Sequence, residues 1–560
     1  MKTSTLLQYS IASLVLLGCG GSKVTQTKAI WDKPVPLGDE KAILMTPKSG
    51  SFSEAEKHGW AHTDLLSDSI PGMSLNKAYE FLKDKSAQPI LVGVIDSGID
   101  IDHEDLRSML WTNPSDNTTN NSDDDNNKYI DDIHGWNFLG GTENEAIYAR
   151  NGLTREYAKY LKRFEGANEA SVAEADRVDY QKYLELKEEY ETSSEQYQEM
   201  YDKYTAIVQS IDAADLEVRT ALNKEDYTLE EVKALPETDN TKMVIEVLAQ
   251  GATMEDAKTP YAVPLSALSD ILKKKFNPNF IGRQTNDDPY DISDVVYGNN
   301  LVKGSLTKES HGTHVAGIIL GDRSNQKGVN GVTNKAKLIA VRAVPNGDEH
   351  DKDVALAIHY MVDNGAKVIN MSFGKTISPN PEWVYNALKY AASKDVLIVK
   401  AAGNDGENID IITMYPNDAM NNRNEFTDNV LTIGATAPFF NEKLVAGFSN
   451  YGKYTVDIFA PGADIYSTIP NNEYRFKSGT SMATPEVSGV AALIRAYYPE
   501  LSAPQVKQII MNSGSKVDLD VIIPNTEDKK KMNFSEFSKS GRILNAYNAL
   551  KMADAIVSKQ

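Results

Sequence analysis

The chain has 560 residues, room for three or four domains of about 150 residues or for one large α/β domain with additions. Hydrophobic residues at 41% and charged residues at 24% are ordinary globular composition, which excludes wholesale disorder and collagen-like repeats. A formal net charge of −21 argues against a nucleic-acid partner, because phosphates would be repelled, and a single cysteine excludes an internal disulfide or a cysteine-built zinc site.

Met1-Lys2 gives a short positive start, and Leu6 to Leu17 is mostly apolar. That run is too short to span a hydrocarbon core of about 30 Å and reads as the apolar part of a secretory signal over residues 1–18. The sole cysteine follows in Leu16-Leu17-Gly18-Cys19, which resembles the lipobox of bacterial lipoproteins. The resemblance implies cleavage before Cys19, lipidation of Cys19, and a protein held on the extracytoplasmic side of a bacterial membrane (periplasmic face or cell surface). Each buried CH₂ of such an anchor contributes about 0.8 kcal/mol. The plainer alternative is an ordinary signal cut in the small-residue run Gly18-Cys19-Gly20. Residues 19–60 are polar with scattered prolines, a tether leading into a segment that lies on the body.

Ile90 to Asp96 is a continuous apolar run ending in Asp-Ser-Gly, as expected of a buried parallel strand running into a loop. Similar strands are predicted at Ala336–Val344, Lys367–Ser372, Val396–Ala401 and Val430–Gly434. Amphipathic helices at Lys352–Asn364 and Glu382–Ser393 alternate with them. The alternation predicts an α/β fold, a parallel sheet with helices on both faces, whose site lies at the carboxyl ends of the strands. Residues 61–140 and 296–560 would form its two parts.

Residues 141–295 break the pattern. They are acidic, nearly free of Pro and Gly before Pro236, and carry Tyr157, Tyr160, Tyr180, Tyr183, Tyr190, Tyr197, Tyr201 and Tyr204 at helical spacing. They predict an all-α helical insert of two or three long helices, with a further helix capped by Thr228. The tyrosines read as internal packing and the charge as a solvated face.

Three segments carry chemistry: Val94-Ile95-Asp96-Ser97-Gly98, His311-Gly312-Thr313-His314 and Gly479-Thr480-Ser481-Met482-Ala483-Thr484-Pro485. Each alone has a bland reading, as an α/β turn, a structural or metal-binding histidine pair, and a phosphate loop. Together, and in this order, they resemble the Asp, His and Ser boxes of the subtilisin-like serine peptidases. The resemblance covers about residues 85–140 and 296–560. A serine hydroxyl needs an adjacent base to act as a nucleophile. The resemblance makes Ser481 the nucleophile, His311 the base and Asp96 the residue that orients the imidazole. It makes the Asn404 side chain, in Ala401-Ala402-Gly403-Asn404, an oxyanion donor beside the Ser481 backbone N–H. Ser372-Phe373-Gly374 would pair with an extended peptide substrate, with Ala402 and Gly403 on the facing segment and Phe373 at the mouth of the specificity pocket. Ser481 is expected just before a helix starting at Pro485, where a proline suits the first turn. His314 reads as a packing residue.

The implied function is an extracytoplasmic serine endopeptidase, with no cofactor needed for the chemistry. Rival readings are an inactive scaffold of this fold whose insert binds a protein partner, and a hydrolase of non-peptide esters. The span from Asp96 to His311 is several times the family's usual one, and the insert fills most of it. The insert would gate the cleft, hold a partner or merely decorate the surface. No compact pro-segment is evident between Cys19 and Ile90. Finally, Asp123, Asp125, Asn127, the Tyr129 carbonyl and Asp131 place oxygens at alternate positions, as in a calcium loop. Lys128 stands where such a loop has glycine, and His134 where it has Glu, so a structural Ca²⁺ and a solvated acidic loop both remain open.

Overall fold

The computed structural model describes residues 50–141 and 146–558, with 35, 36, 38, 41–43 and 48 ahead of them. Cys19, the signal over 1–18 and most of the tether lie outside the described residues. Within the tether, Ser53 caps a short helix at Glu54–Gly59 through a reciprocal bond with Glu56, and Trp60 is buried behind it.

The body is built on β1 (Ile90–Asp96), β2 (Gly135–Asn137), β3 (Ala336–Arg342), β4 (Ala366–Met371), β5 (Leu397–Ala401), β6 (Val430–Thr436) and β7 (Ile458–Pro461). A hairpin follows, β8 (Ile465–Ile469) and β9 (Glu473–Lys477), then the short strands β10 (Ser515–Lys516) and β11 (Arg542–Ile543). The main sheet has nine strands in the order β10-β11-β7-β6-β5-β4-β1-β3-β2, and every neighbouring pair is parallel except β10–β11. Side chains alternate between two cores. Val92, Val94, Leu338, Ala340, Leu397 and Val399 face one side, while Ile95, Ile339, Val341, Ile369 and Ile398 face the other. Strands apolar on both faces need helices on both faces, and this explains their continuous hydrophobic runs.

Ahead of β1 lies α1 (Leu75–Leu82), and the insert contributes α2 (Gly152–Phe164), α3 (Arg177–Leu222), α4 (Asp239–Ala249) and α5 (Met254–Asp270). The body then adds α6 (His311–Leu320), α7 (Asp351–Asp363), α8 (Pro381–Ser393), α9 (Thr480–Tyr497), α10 (Ala503–Ser513) and α11 (Ala546–Val557). Core residues of α1, α6, α9, α10 and α11 pack on the first face, and those of α7 and α8 on the second. The fold is therefore an α/β parallel sheet covered on both faces, with a helical insert.

The insert's backbone is the 46-residue α3, about 69 Å long at 1.5 Å per residue. Its two ends pack in separate small cores. Near the body, Tyr157 stacks on Tyr190 with centroids 4.5 Å apart and on Tyr183 at 5.9 Å. Farther out, Ile211, Ala214 and Val218 meet Val232, Val244 and Met254. Thr228 caps a helix at Leu229–Lys233 with a reciprocal bond to Glu231. The chain returns to the body before residue 295. Arg283 bonds Asp287 and Asp353, Lys352 meets Asp287, and Ile292 and Val295 pack on the α7–α8 side.

Candidate active site

Three neighbouring strands deliver the site. β1 ends on Asp96, β4 runs into Ser372-Phe373-Gly374, and β5 runs into Ala402-Gly403-Asn404. Because β1, β4 and β5 are adjacent and parallel, their carboxyl ends open on one edge, where α/β sheets place their sites. α6 brings His311 as its first residue, anchored where the Gly312 N–H donates to Ser97 Oγ at 3.1 Å.

His311 Nδ1 and Asp96 Oδ1 lie 2.7 Å apart, although 215 positions separate them in the chain. Asp96 is buried, and the same Oδ1 accepts the Ser97 N–H at 2.7 Å, which fixes the carboxylate. The His311 side chain is 37% exposed, and among the described residues its Nε2 makes no hydrogen bond. Ahead of it, Lys477 Nζ donates to Ser310 Oγ at 2.7 Å, and burial lowers the Lys477 pKa. His314 is fully buried; its Nε2 lies 2.9 Å from the Arg475 carbonyl, and burial pulls its pKa down to about 3.

The helix carrying Ser481 starts earlier than the sequence predicts. α9 runs from Thr480 with Gly479 as its cap, so Ser481 is its second residue and Pro485 lies in the second turn. The earlier helix start has a chemical consequence. Pro485 has no N–H for the Ser481 carbonyl four residues back. Ser372 Oγ donates to that carbonyl instead, at 2.9 Å, and is itself held by Asn370 Nδ2 at 2.9 Å. The Ser481 hydroxyl donates to the Ser372 carbonyl at 3.0 Å, and among the described residues no Ser481–His311 hydrogen bond is made.

Asn404 is clamped by a residue that sequence reasoning missed. The Thr480 N–H donates to Asn404 Oδ1 at 2.8 Å, and Thr480 Oγ1 lies 3.0 Å from the same oxygen. A backbone N–H must meet the amide oxygen, so the partner at that position is Oδ1, and among the described residues the amide nitrogen's two N–H donors meet no acceptor. A Cβ placed on Gly479 would lie 3.6 Å from the Ser481 nitrogen and 3.7 Å from both Asn404 Nδ2 and Oδ1, so the Ser481 N–H and the Asn404 amide border one spot. Gly403 has φ +107, and a Cβ there would meet Asn450 Nδ2 at 2.3 Å, so the turn into Asn404 requires glycine. Ala402 is fixed on both sides, its N–H on the Ile433 carbonyl and its own carbonyl on Asn450 Nδ2, each at 3.0 Å. Across the cleft, Phe373 is buried, and among the described residues the backbone groups of Phe373 and Gly374 make no hydrogen bond. The next residue, Lys375, is held by paired bonds with Tyr415 at 2.9 and 2.7 Å.

The acidic loop is arranged differently from an alternating-ligand reading. Asp123 and Asp125 converge with Asp116, their ligand atoms all within 4.8 Å of one another. Asp116 escaped sequence reasoning because it precedes the loop; it is buried, and among the described residues its Oδ1 has no hydrogen-bond partner. Asp131 instead turns its carboxylate onto the backbone N–H groups of Asn120 and Asn121, at 2.9 and 3.0 Å. Asn127 Oδ1 accepts the Tyr129 N–H at 2.7 Å, and its Nδ2 donates to Asp132. Burial, chiefly, raises the Asp116 pKa, with Asp124 and Asp131 adding to it.

A model of the subtilase family matches residues 186–537. The chain belongs to the subtilase family. The matched range opens inside α3, so Asp96 lies upstream of it. Among curated subtilases and related serine peptidases, the chain is 37% identical over 242 residues to a thermophilic serine proteinase of Bacillus sp. strain AK1, covering 43% of this chain and 52% of that protein. It is 36% identical over 261 residues to a cell wall-associated protease of Bacillus subtilis (strain 168), covering 46% of this chain and 25% of that protein. Thermitase of Thermoactinomyces vulgaris is 37% identical over 227 residues, 40% of this chain and 75% of the enzyme. The chain thus spans about half the length of the first of these relatives and a quarter of the second.

Proposed function

We propose that this subtilase is a serine endopeptidase that cleaves extended peptide segments through an acyl-enzyme on Ser481. The observation that carries the reading is the meeting, at one strand edge, of a fixed Asp96–His311 pair at 2.7 Å, Ser481 in the first turn of α9, and an Asn404 amide whose nitrogen is turned free by Thr480. The unpaired backbone of Phe373 and Gly374 supplies an edge for a peptide to join as an added strand, which favours peptides over small esters. With substrate on that edge, the Ser481 hydroxyl rotates from the Ser372 carbonyl to His311 Nε2 and attacks the scissile carbonyl carbon. His311 takes the hydroxyl proton and returns it to the leaving amine, while Asp96 holds the imidazole and stabilises its charged form. The carbonyl oxygen becomes an oxyanion between the Ser481 N–H and Asn404 Nδ2. Water then hydrolyses the acyl-enzyme by the same steps in reverse order.

A bacterial extracytoplasmic location, with a lipid on Cys19, fits the N-terminal residues and the likeness to a cell wall-associated protease. A structural Ca²⁺ on Asp116, Asp123 and Asp125 fits the unpartnered buried oxygen of Asp116; it would screen three crowded carboxylates and take no part in the chemistry. The test treats soluble protein and its Ser481→Ala variant with a fluorophosphonate and weighs the intact chains. One adduct on the wild type and none on Ser481→Ala supports the reading. No adduct on the wild type refutes an assembled nucleophile and favours the scaffold alternative.

A further inference from the structure

Where the insert meets the body, a cavity of about 130 Å³ is lined by Arg150, Arg155, Arg283 and His350. Arg155 sits on α2, Arg150 just before it, and His350 just before α7. Three guanidiniums around one small cavity are conspicuous in a chain of net charge −21.

Their charges are compensated unequally. Arg283 is neutralised by Asp287 and Asp353, and Lys352 adds to the Asp287 pair, so that group sums to zero. Lys375 likewise meets Asp351 at 2.7 Å. Arg150 and Arg155 meet carbonyls instead. Arg150 Nη1 donates to the Pro278 carbonyl at 2.7 Å. Arg155 donates to the carbonyls of Arg150, Asp348 and Glu349 at 3.1, 2.5 and 2.9 Å. Among the described residues neither arginine forms an ion pair, although Arg155 is only 4% exposed. The Asp348 carboxylate on the adjoining loop is engaged by the Gly152 N–H at 2.7 Å. Carbonyls satisfy the geometry of a guanidinium but not its charge; the buried Glu349 carboxyl feels Arg155, but it is paired first with Lys375 at 3.9 Å and burial pushes its pKa up to about 7, so it offsets that charge only in part.

His350 is the second, independent observation. It is 9% exposed, and among the described residues its ring makes no hydrogen bond or ion pair. Burial first, and then the charges of Arg155, Arg283, Lys375 and Arg150, hold its pKa well below the ordinary value. The ring is therefore neutral and presents one unused N–H donor at the cavity wall.

We propose that this cavity binds a small oxyanion of the phosphate or carboxylate class, held by Arg150, Arg155 and the His350 ring. Guanidinium N–H groups and one neutral imidazole N–H are the donors such a group takes, and charge-assisted bonds of this kind are the stronger ones. The anion fastens α2 of the insert to the loop entering α7. Glu349, whose carbonyl accepts from Arg155, also accepts from Lys375 Nζ at 2.7 Å, and Lys375 directly follows the Phe373-Gly374 edge. The site thereby ties the seating of the insert to the segment assigned above to substrate. The binding itself is independent of that assignment and is measured on inactive protein.

The experiment uses the soluble chain carrying Ser481→Ala, titrated calorimetrically with sodium phosphate and, in a parallel arm, sodium acetate, at constant ionic strength. Thermal unfolding is followed in the same salts against sodium chloride. Saturable binding of either oxyanion, with a matching rise in Tm, is expected; the better arm identifies a tetrahedral or a planar ligand. Arg150→Gln, at a half-buried position, and His350→Gln should each weaken binding about tenfold or more, while the exposed Arg107→Gln should leave it unchanged. Two variants guard against one failing to fold. Absence of saturable binding in both arms overturns the proposal, as does unchanged affinity in whichever of Arg150→Gln and His350→Gln folds.

Discussion

Gly479→Ala separates folding from chemistry most sharply. Gly479 has φ 162, extended backbone open to any residue, and a Cβ there meets nothing nearer than the Ser481 nitrogen at 3.6 Å. The added methyl therefore fits without strain. Alanine loses about 0.4–1 kcal/mol less chain entropy on folding than glycine. It is a poorer helix cap by up to about 1 kcal/mol. The two nearly cancel, so stability should change by no more than about 1 kcal/mol and Tm by no more than about 4 °C. Activity should collapse. The methyl would stand 3.6 Å from the Ser481 nitrogen and 3.7 Å from the Asn404 amide, close to the space an oxyanion needs for contacts of about 2.7–3.1 Å to both donors. Each donor lost is worth about 2.7–4 kcal/mol, so losing both slows the chemical step about 10⁴-fold or more. The assay pairs turnover of an internally quenched peptide with a thermal melt, against a Ser481→Ala background. Turnover within tenfold of wild type on a folded variant would refute the placement of the oxyanion. A Tm loss beyond about 10 °C would refute the claim of free space.

Asn404→Ala should lower kcat about 10²- to 10³-fold with little change in KM, read by steady-state kinetics; an unchanged kcat would remove Asn404 from the oxyanion site. Ser372→Ala leaves the buried Ser481 carbonyl without the donor that replaces the Pro485 N–H, and should cost about 1–3 kcal/mol in urea unfolding. His314 is held neutral in the fold with a pKa of about 3, whereas the unfolded chain takes a proton near pH 6.5. Its contribution is thus complete above about pH 6.5 and falls by about 1.4 kcal/mol per unit on acidification toward pH 3, or about 2 kcal/mol by pH 5. His314→Gln should flatten the acid limb by that amount in unfolding at pH 7 and pH 5, and an unaltered pH dependence would count against it. If Ca²⁺ occupies the Asp116 site, a chelator should cost the wild type about 2.7 kcal/mol from a starting level of 100 Kd, and cost Asp116→Asn little; equal melts with and without chelator would leave an acidic loop without metal.

The frame of the fold was legible in the sequence because buried parallel strands need long runs of β-branched and aliphatic residues. β1 at Ile90–Asp96 matches its run residue for residue, and the tyrosine spacing of the insert announced its helices. The start of α9 was not legible. Proline at the head of an apolar run suggests a first turn, yet Pro485 sits in the second turn because Ser372 satisfies the carbonyl that it leaves free. Asp116 and Thr480 were equally hidden, since each acts through partners that chain spacing does not reveal.

The sequence by itself determined the alternation of strands and helices, the acidic insert, and the residues whose chemistry an acyl transfer needs. Those are properties of side-chain type and local periodicity. The tertiary structure alone decided that Asp96 and His311 touch, that Thr480 turns the Asn404 amide, and that three arginines line one cavity beside His350. Such contacts join residues tens to hundreds of positions apart, and only the parallel ordering of the strands and the return of the insert bring them within hydrogen-bond range.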